Sequence, residues 1–543
     1  MKNQSETPAP PSANSQIARA ASLVTAAYVL SNIAGLIRQT LVANSFGTSA
    51  PMEAFNAANR ISETLFNLVA GGALGSAFIP TFTSLLAKDK RQKAWKLASS
   101  IFNLILIILT ALAALAAIFA PQVVRYVIAP GFAADPAKEA LTIALTRLML
   151  PSAVLFGLSG LVMGILNSRQ KFFIPALTPA MYQIGMIFGV TVLSPGMGIY
   201  GLAWGVLVGA ALHLVLQLPL LFKQKASYTP SLNLDSPDVR EVARLMGPRV
   251  LGVAVVQLNF WINVRLASGM PEGSVTAIQI AFTLMLMPLA AIAQSIATAA
   301  LPTFSTQVAK NKLGEMRNSL SATLRGILLL SIPASLGLVA LRVPVVTLLY
   351  QRGELDTQST KLVAWALLFY GIGLVGHAMV EILARAFYAL HDTKTPVLIG
   401  ITAMSLNVLF SYIFSALFIR QGWMPHGGLA LANTLATALE MVGLILIMRK
   451  RLDGLNGKQI GSGLGKSLAA GGLMTAAILG WITLAGDYSV WLLALGGILI
   501  GIVVYTVSLG VFKTRELKQL YQVIQSRLQN LKQKLWRVAG LLQ

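Results

Sequence analysis

Four ionisable residues, Arg38, Glu53, Arg60 and Glu63, are the only charged positions between Ser31 and Pro80. A guanidinium can hold phosphate oxygens through two parallel hydrogen bonds, and a carboxylate can pair with a nearby cation. Charge is costly in hydrocarbon, so an apolar segment that keeps it is expected to turn it towards a polar cavity. Further along, Glu381 and Arg385 stand four residues apart with His377 one turn earlier. That is the spacing of a helical ion pair, either structural or serving coupling and gating. Arg147 and Glu440 are isolated in sequence, and His213 reads as a hydrogen-bonded core residue of an apolar run. The chain has no cysteine, no metal-spaced histidine cluster, no nucleophile elbow and no P-loop. It is therefore read as a binding and transporting protein, not an enzyme. No cofactor is expected, and energy would come from the membrane potential, a Na+ or H+ gradient, or downstream consumption of the cargo.

The elements that must position these groups are long apolar helices. Over 543 residues, 55% are hydrophobic and only 11% charged, and the mean hydropathy is +0.70, which defines an integral membrane protein. The net charge of +23 sits mostly in short connections, with no basic helix face interleaved with aromatics, so nucleic acid is not an expected partner. Runs long enough to cross a bilayer fall near 18–44, 54–86, 95–120, 140–167, 174–193, 199–222 and 245–267. A second series falls near 276–307, 320–341, 360–390, 395–418, 427–449, 465–485 and 489–512. At roughly 20 residues per crossing this gives about fourteen spans.

Basic residues concentrate in the connections after even-numbered spans: Lys88, Lys90, Arg91 and Lys93, then Arg169 and Lys171, Lys223, Lys310 and Lys312, Lys394, and Arg449 to Arg451. The connections after spans one, five and thirteen carry none. Both termini are thus expected in the cytoplasm. An internal repeat supports the same layout. Ala77-Phe78-Ile79-Pro80-Thr81-Phe82 with Lys88 is matched by Ala299-Ala300-Leu301-Pro302-Thr303-Phe304 with Lys310, each position 222 residues later. Pro175 and Pro396 follow at nearly the same offset. A repeat of six spans, an even number, makes two parallel halves, an arrangement that binds substrate between them and rocks to alternate access.

Ser31, Gly35, Arg38, Phe46-Gly47, Ala54-Phe55, Gly72-Ala73 and Ala77 to Pro80 resemble the opening helices of the MurJ (MviN) lipid II flippases, within the MOP exporter superfamily. So do Ala129-Pro130-Gly131-Phe132, Gly164 to Asn167 with Phe172, Ile174-Pro175-Ala176, Met246-Gly247-Pro248, Leu301-Pro302, and Phe387 to Pro396. The resemblance covers nearly all of residues 20 to 512. It implies an all-α polytopic fold of fourteen transmembrane helices in a bacterial inner membrane. Its implied activity is moving the undecaprenyl-pyrophosphate-linked peptidoglycan precursor, lipid II, to the outer leaflet for cell-wall synthesis. Partners implied are lipid II or a similar polyprenyl-linked glycan, membrane lipids and cell-wall synthesis proteins. The other readings are a flippase for another polyprenyl-linked glycan and a non-transporting envelope-assembly scaffold. A drug or cation antiporter would be expected to use an acidic cavity, unlike these first two spans.

The resemblance also assigns roles. Arg38 matches an essential arginine position and Arg60 a position that is often basic, while Glu53 matches an acid at the outer mouth of the second span. For Arg38 the alternative is snorkelling to the interface; for Arg60, pairing with Glu63; for Glu53 and Glu63, a gating or structural ion pair. The sequence departs from the family pattern at Asn32 and Gln39, at Phe66-Asn67, at Gly71 and at Thr283. Asn32, Arg265 and Arg249 are therefore added as candidate cavity residues, and Asn407 and Glu440 as candidate sodium ligands. Domain expectations are a disordered tail over 1–17, an N-lobe over 18–225 and a C-lobe over 226–450. A lipid-tail groove over 451–512 and a basic amphipathic helix over 513–543 complete them.

Overall fold

The computed structural model describes residues 13–69, 73–224, 226–486 and 488–514. Every described element is helical. A chain in hydrocarbon has to satisfy its backbone polar groups internally, which a helix does residue by residue. Eleven described helices are long and apolar enough to cross a membrane, and twelve if the bent pair within 237–268 is one span. The expectation of about fourteen is consistent with that number. The amphipathic helix expected over 513–543 lies outside the described residues from 515 onwards.

Two compact units are present. The first comprises residues up to Val275 with Arg352–Asp356. It contains α1 (Ala13–Phe46), α2 (Ala50–Val69), α3 (Ala73–Ala87), α4 (Arg91–Ile118), α5 (Pro136–Ser168), α6 (Phe173–Phe188), α7 (Ile199–Val215) and α8 (Pro237–Ser268). α1 starts at Ala13, inside the stretch expected as a disordered tail, because the alanine-rich run from Ala13 to Ala21 carries straight into the apolar helix. α5 is the hub, packed against α2, α3, α4 and α7, while α1 packs on α6. Phe78, Phe82, Trp95, Leu109 and Leu161 fill one core, and Phe55, Leu145, Met149 and Leu202 another. α6 and α7 touch backbone to backbone: a Cβ on Gly185 would stand 2.2 Å from the Gly209 Cα. Where the surroundings are as apolar as the helices, such close packing is what holds them together.

The repeat expected from the sequence changes over near residue 225, whereas the packing boundary follows Val275. α8 packs on α2 and α3, which keeps it with the first unit.

The second unit comprises residues 276–351 and 357 onwards. α9 (Ser274–Leu289) starts in the first unit, then runs through a π turn into α10 (Ser295–Ala309). α11 (Leu313–Ala340), α12 (Thr357–Ala389), α13 (Lys394–Arg420), α14 (His426–Arg451), α15 (Gly457–Leu484) and α16 (Val490–Val511) follow. α12 packs on α10, α11 and α14, while α15 packs on α16 and α11. Large apolar side chains stand exposed on the outer helices, among them Ile419, Leu499, Val507 and Val511. Water would penalise such a surface, whereas lipid solvates it.

Candidate functional site

Arg38 lies on the α1 face that meets α6. Its Nη1 rests 3.3 Å from the Met186 Sδ, and its buried Nε has no hydrogen-bond partner. It forms no ion pair among the described residues. Beside it, the Gln183 Oε1 is also buried without a partner, and Gln183 lies 3.7 Å from where a Gly35 Cβ would be. An arginine whose guanidinium meets no carboxylate is poised for an anion, since leaving such a donor unmade is expensive. Asn32 is exposed on the same helix.

Arg60 is committed locally. Its Nη1 meets the Glu63 Oε2 at 2.9 Å, its guanidinium lies over the Phe260 ring at 4.8 Å, and Asn59 donates to the Glu63 Oε1 at 2.8 Å. Both carboxylate oxygens of Glu63 are therefore occupied. One helical turn on, Thr64 donates to the Arg60 carbonyl at 2.7 Å and accepts from the Trp261 indole at 2.7 Å. These contacts tie α2 to α8. Next to them a cavity of about 520 Å3 opens between α2, α5, α6 and α7.

Glu53 stands in the first turn of α2 and is almost fully buried. Its Oε2 meets the Lys138 Nζ at 2.5 Å and its Oε1 accepts the Val275 backbone N–H at 2.8 Å. Reciprocally, the Glu272 Oε1 accepts the Ala50 backbone N–H at 2.7 Å. Both partnerships span 222 residues, the offset of the sequence repeat. Each carboxylate caps a helix N-terminus, Glu53 that of α9 and Glu272 that of α2. The flanking loops repeat the relation. The Gly131 N–H donates to the Ser268 Oγ at 3.1 Å and the Glu354 N–H to the Asn44 carbonyl at 2.9 Å. A Cβ on Gly131 would fall 2.2 Å from the Ser268 carbonyl oxygen, and one on Gly353 2.3 Å from that of Asn44. Gly131 and Gly353 are again 222 apart. All these atoms belong to the first unit.

The Lys138 ammonium also sits 4.1 Å from the centre of the Phe132 ring. Arg125 grips Glu139 with two hydrogen bonds of 2.7 and 3.0 Å, and this hydrogen bonding, with the carboxylate charge, pushes the Arg125 guanidinium above its usual range. The sequence did not point to Lys138 or Glu272, because each is far along the chain from its partner. Applying the repeat offset to polar residues would have paired Glu272 with Ala50.

The remaining predicted residues are dispersed. Arg265, in the last turn of α8, donates to the carbonyls of Tyr126 and Val127, a helix-end anchor. Arg249 lies on α8, and its side chain is outside the described set. In the second unit the Arg385 Nη2 meets the Glu381 Oε1 at 2.9 Å, and the His377 Nε2 lies 3.0 Å from the Asn433 Oδ1. The Asn407 Oδ1 accepts from Ser411 at 3.0 Å, and the Glu440 Oε1 stands 3.6 Å from the position of a Gly400 Cβ. No group of three or more His, Asp or Glu among the described residues is placed to hold a metal ion. A second cavity, also about 520 Å3, is lined by Pro288, Leu329, Pro333, Met474, Ile478 and Ile502, with neighbouring apolar residues. Tyr505 lines it too, but its hydroxyl donates to the Leu329 carbonyl at 2.8 Å.

Helical in every described element, with eleven helices long and apolar enough to cross a membrane, the chain is a polytopic membrane protein. Comparison with known proteins narrows the class. A family model described as "Lipid II flippase MurJ" matches residues 42–504. The lipid II flippase MurJ of Burkholderia cenocepacia is 34% identical over 444 residues, covering 80% of this chain and 84% of the relative. A probable lipid II flippase MurJ of Vibrio cholerae is 30% identical, covering 86% and 90%. Among solved structures, "Lipid II flippase MurJ, inward closed conformation" aligns with a TM-score of 0.77 at 26% identity, covering 90% of this chain and 98% of that one. A MATE-family multidrug transporter of the MOP superfamily shares the fold, with a TM-score of 0.66 at 16% identity, covering 79% and 96%. The chain belongs to the lipid II flippase MurJ family.

Proposed function

We propose that this chain carries lipid II across the bacterial cytoplasmic membrane by alternating access, with Arg38 receiving the pyrophosphate. The observation that supports the role of Arg38 is that its guanidinium, with Nη1 on the Met186 Sδ and a buried Nε left over, meets no carboxylate among the described residues, unlike those of Arg60 and Arg385. A pyrophosphate, sugars and peptide cannot cross hydrocarbon unaided, whereas the polyprenyl tail is at home there, so the protein has to shelter only the head. The cavity bounded by α11, α15 and α16 is apolar and suits the tail. Lipid tails are as apolar as its walls, so it would select by shape and packing rather than through the hydrophobic effect.

Glu53, Lys138 and the paired glycine contacts close one end of the first unit. In this reading that end faces outwards, both termini lie in the cytoplasm, and the contacts part when the head group is released. Transport would be driven by the membrane potential or an ion gradient, with Asn407 and Glu440 as the groups to test for cation dependence. Depleting the protein in cells and measuring lipid-linked precursors tests the assignment. Lipid II is expected to accumulate in the inner leaflet; lipid II that stays fully accessible outside while another glycan carrier accumulates would refute it.

A further inference from the structure

One end of the first unit, away from Glu53 and Lys138, holds two arginines that no carboxylate answers. Arg91 opens α4 and Arg169 follows the last residue of α5. Gln224, which closes the short helix Leu218–Lys223, stands between them. The Arg91 Nη2 donates to its backbone carbonyl at 2.9 Å, and the Arg169 Nη1 lies 3.5 Å from its Oε1. Neither guanidinium forms an ion pair among the described residues. Burial, with the Arg91 charge beside it, holds the Arg169 guanidinium below its usual range. Like charges kept together cost free energy that a bound anion would return.

Two donors there are unused. The Arg169 Nε is buried without a hydrogen-bond partner, and so is the indole Nε1 of Trp95, a residue only 4% exposed. Trp95 is one helical turn from Arg91 on α4, and the Arg169 guanidinium lies 5.8 Å from the centre of its ring. Buried donors are rarely left over, so two in one contact mark a place for an acceptor.

The matching turn of the second unit is finished differently. Gln170 and His391 both adopt a left-handed backbone, with φ of +58°, and stand 221 residues apart, as do Pro175 and Pro396. At that offset Lys171 becomes Asp392, whose carboxylate is taken by Arg451 at 2.6 Å and by Thr395. Positive charge is thus left open in the first turn and closed in the second.

Exposed rings flank the open one. Phe172 and Phe173 follow Lys171, and Phe222 precedes Lys223; all three side chains are exposed. A free phosphate has no use for them, whereas an anionic lipid presents a phosphate next to its acyl chains. We propose that Arg91 and Arg169, oriented by Gln224, hold the phosphodiester of an anionic glycerophospholipid. The site is independent of the cargo, and in the orientation proposed above it faces the inner leaflet.

Native mass spectrometry of the full-length protein measures the affinity of the first phosphatidylglycerol bound. It is expected to bind more tightly than phosphatidylcholine, whose choline cancels the phosphate charge, and not to be displaced by millimolar inorganic phosphate. Equal affinity for the two lipids, or displacement by phosphate, overturns the proposal. Arg91→Gln with Arg169→Gln should weaken phosphatidylglycerol at least about tenfold, the loss of charged hydrogen bonds, and leave lipid II binding unchanged. Arg449→Gln with Lys450→Gln, which removes as many charges from the second unit, should have no effect. Equal loss from both pairs would mean diffuse attraction, and equal loss of lipid II would assign the arginines to the cargo; either result refutes the site. Hydrogen exchange of the unsubstituted protein in nanodiscs keeps the test independent of folding of the variants. Replacing phosphatidylcholine by phosphatidylglycerol should slow exchange over residues 169–173 but not over 390–394, and equal slowing at both turns, or none at either, overturns the proposal.

Discussion

The two cavities are equal in volume, at about 520 Å3 each, and both are mostly apolar, but they differ in the polar groups at their edges. The one in the first unit is edged by three asparagines, a serine hydroxyl without a partner and a neutralised carboxylate. That in the second is walled mainly by Leu, Ile, Met and Pro, and the hydroxyls of Tyr505 and Thr506 are both spent on backbone carbonyls. The two are not equivalents under the repeat, because the second is walled in large part by α15 and α16, beyond the twelve spans that the repeat covers. An amphiphilic cargo with a large polar head and a long polyprenyl tail needs both. Arg38, on α1, adds the charge that neither cavity supplies.

Four measurements probe these differences. The largest effect is expected from Arg38→Ala, which removes the charged contact and should lower lipid II translocation at least about a hundredfold with membrane insertion unchanged. Full activity would make Arg38 an interfacial anchor. Next, Glu53→Gln leaves the Lys138 ammonium buried without its counter-ion. Breaking a buried pair from one side costs about 3–5 kcal/mol, read as a clear fall in the thermal midpoint in detergent. Adding Lys138→Met should recover part of it, and no change in either variant would mean the pair contributes little.

A smaller, cargo-selective effect is expected from Ile502→Trp in the second unit's cavity. Translocation of the full-length polyprenyl substrate should fall severalfold while a short-chain analogue is spared; equal loss for both would separate that cavity from the tail. The smallest concerns Asp392, away from both cavities. The Thr395 backbone N–H at 3.0 Å and hydroxyl at 2.7 Å, aided by Arg451, hold its carboxyl below the usual range. A depressed carboxylate stabilises the fold above its unfolded pKa and loses that contribution as pH falls through the folded value. Asp392→Asn should flatten the acid-side decline in stability and leave transport at neutral pH unaltered.

The helical architecture was legible because hydropathy is a local signal and the proline at the end of the second span recurs at a fixed offset. Pro80 lies inside α3 and Pro302 inside α10, as their shared pattern requires. The MurJ resemblance was legible too, from motifs such as Ala129 to Phe132. What sequence could not supply was partnership. Glu53 read as one half of an ion pair, but nothing near it in the chain singles out Lys138, which approaches only because α2 packs along α5. Arg265 and Arg38 look alike as isolated arginines in apolar helices. One proves to be tied to two loop carbonyls, and the other keeps a buried Nε without a partner. The cavity of the first unit was invisible for the same reason, since its amides come from different helices and Phe66-Asn67 read only as a gap in a basic pattern.

The central claim is that the chain moves lipid II by gripping its head group and accommodating its tail. Reconstituting the purified full-length protein in liposomes loaded with lipid II, and following its arrival in the opposite leaflet, tests that claim most directly. The account predicts translocation that requires Arg38 and is competed by unlabelled lipid II more strongly than by undecaprenyl pyrophosphate. Equal competition by the two lipids, or translocation indifferent to Arg38→Ala, would contradict it.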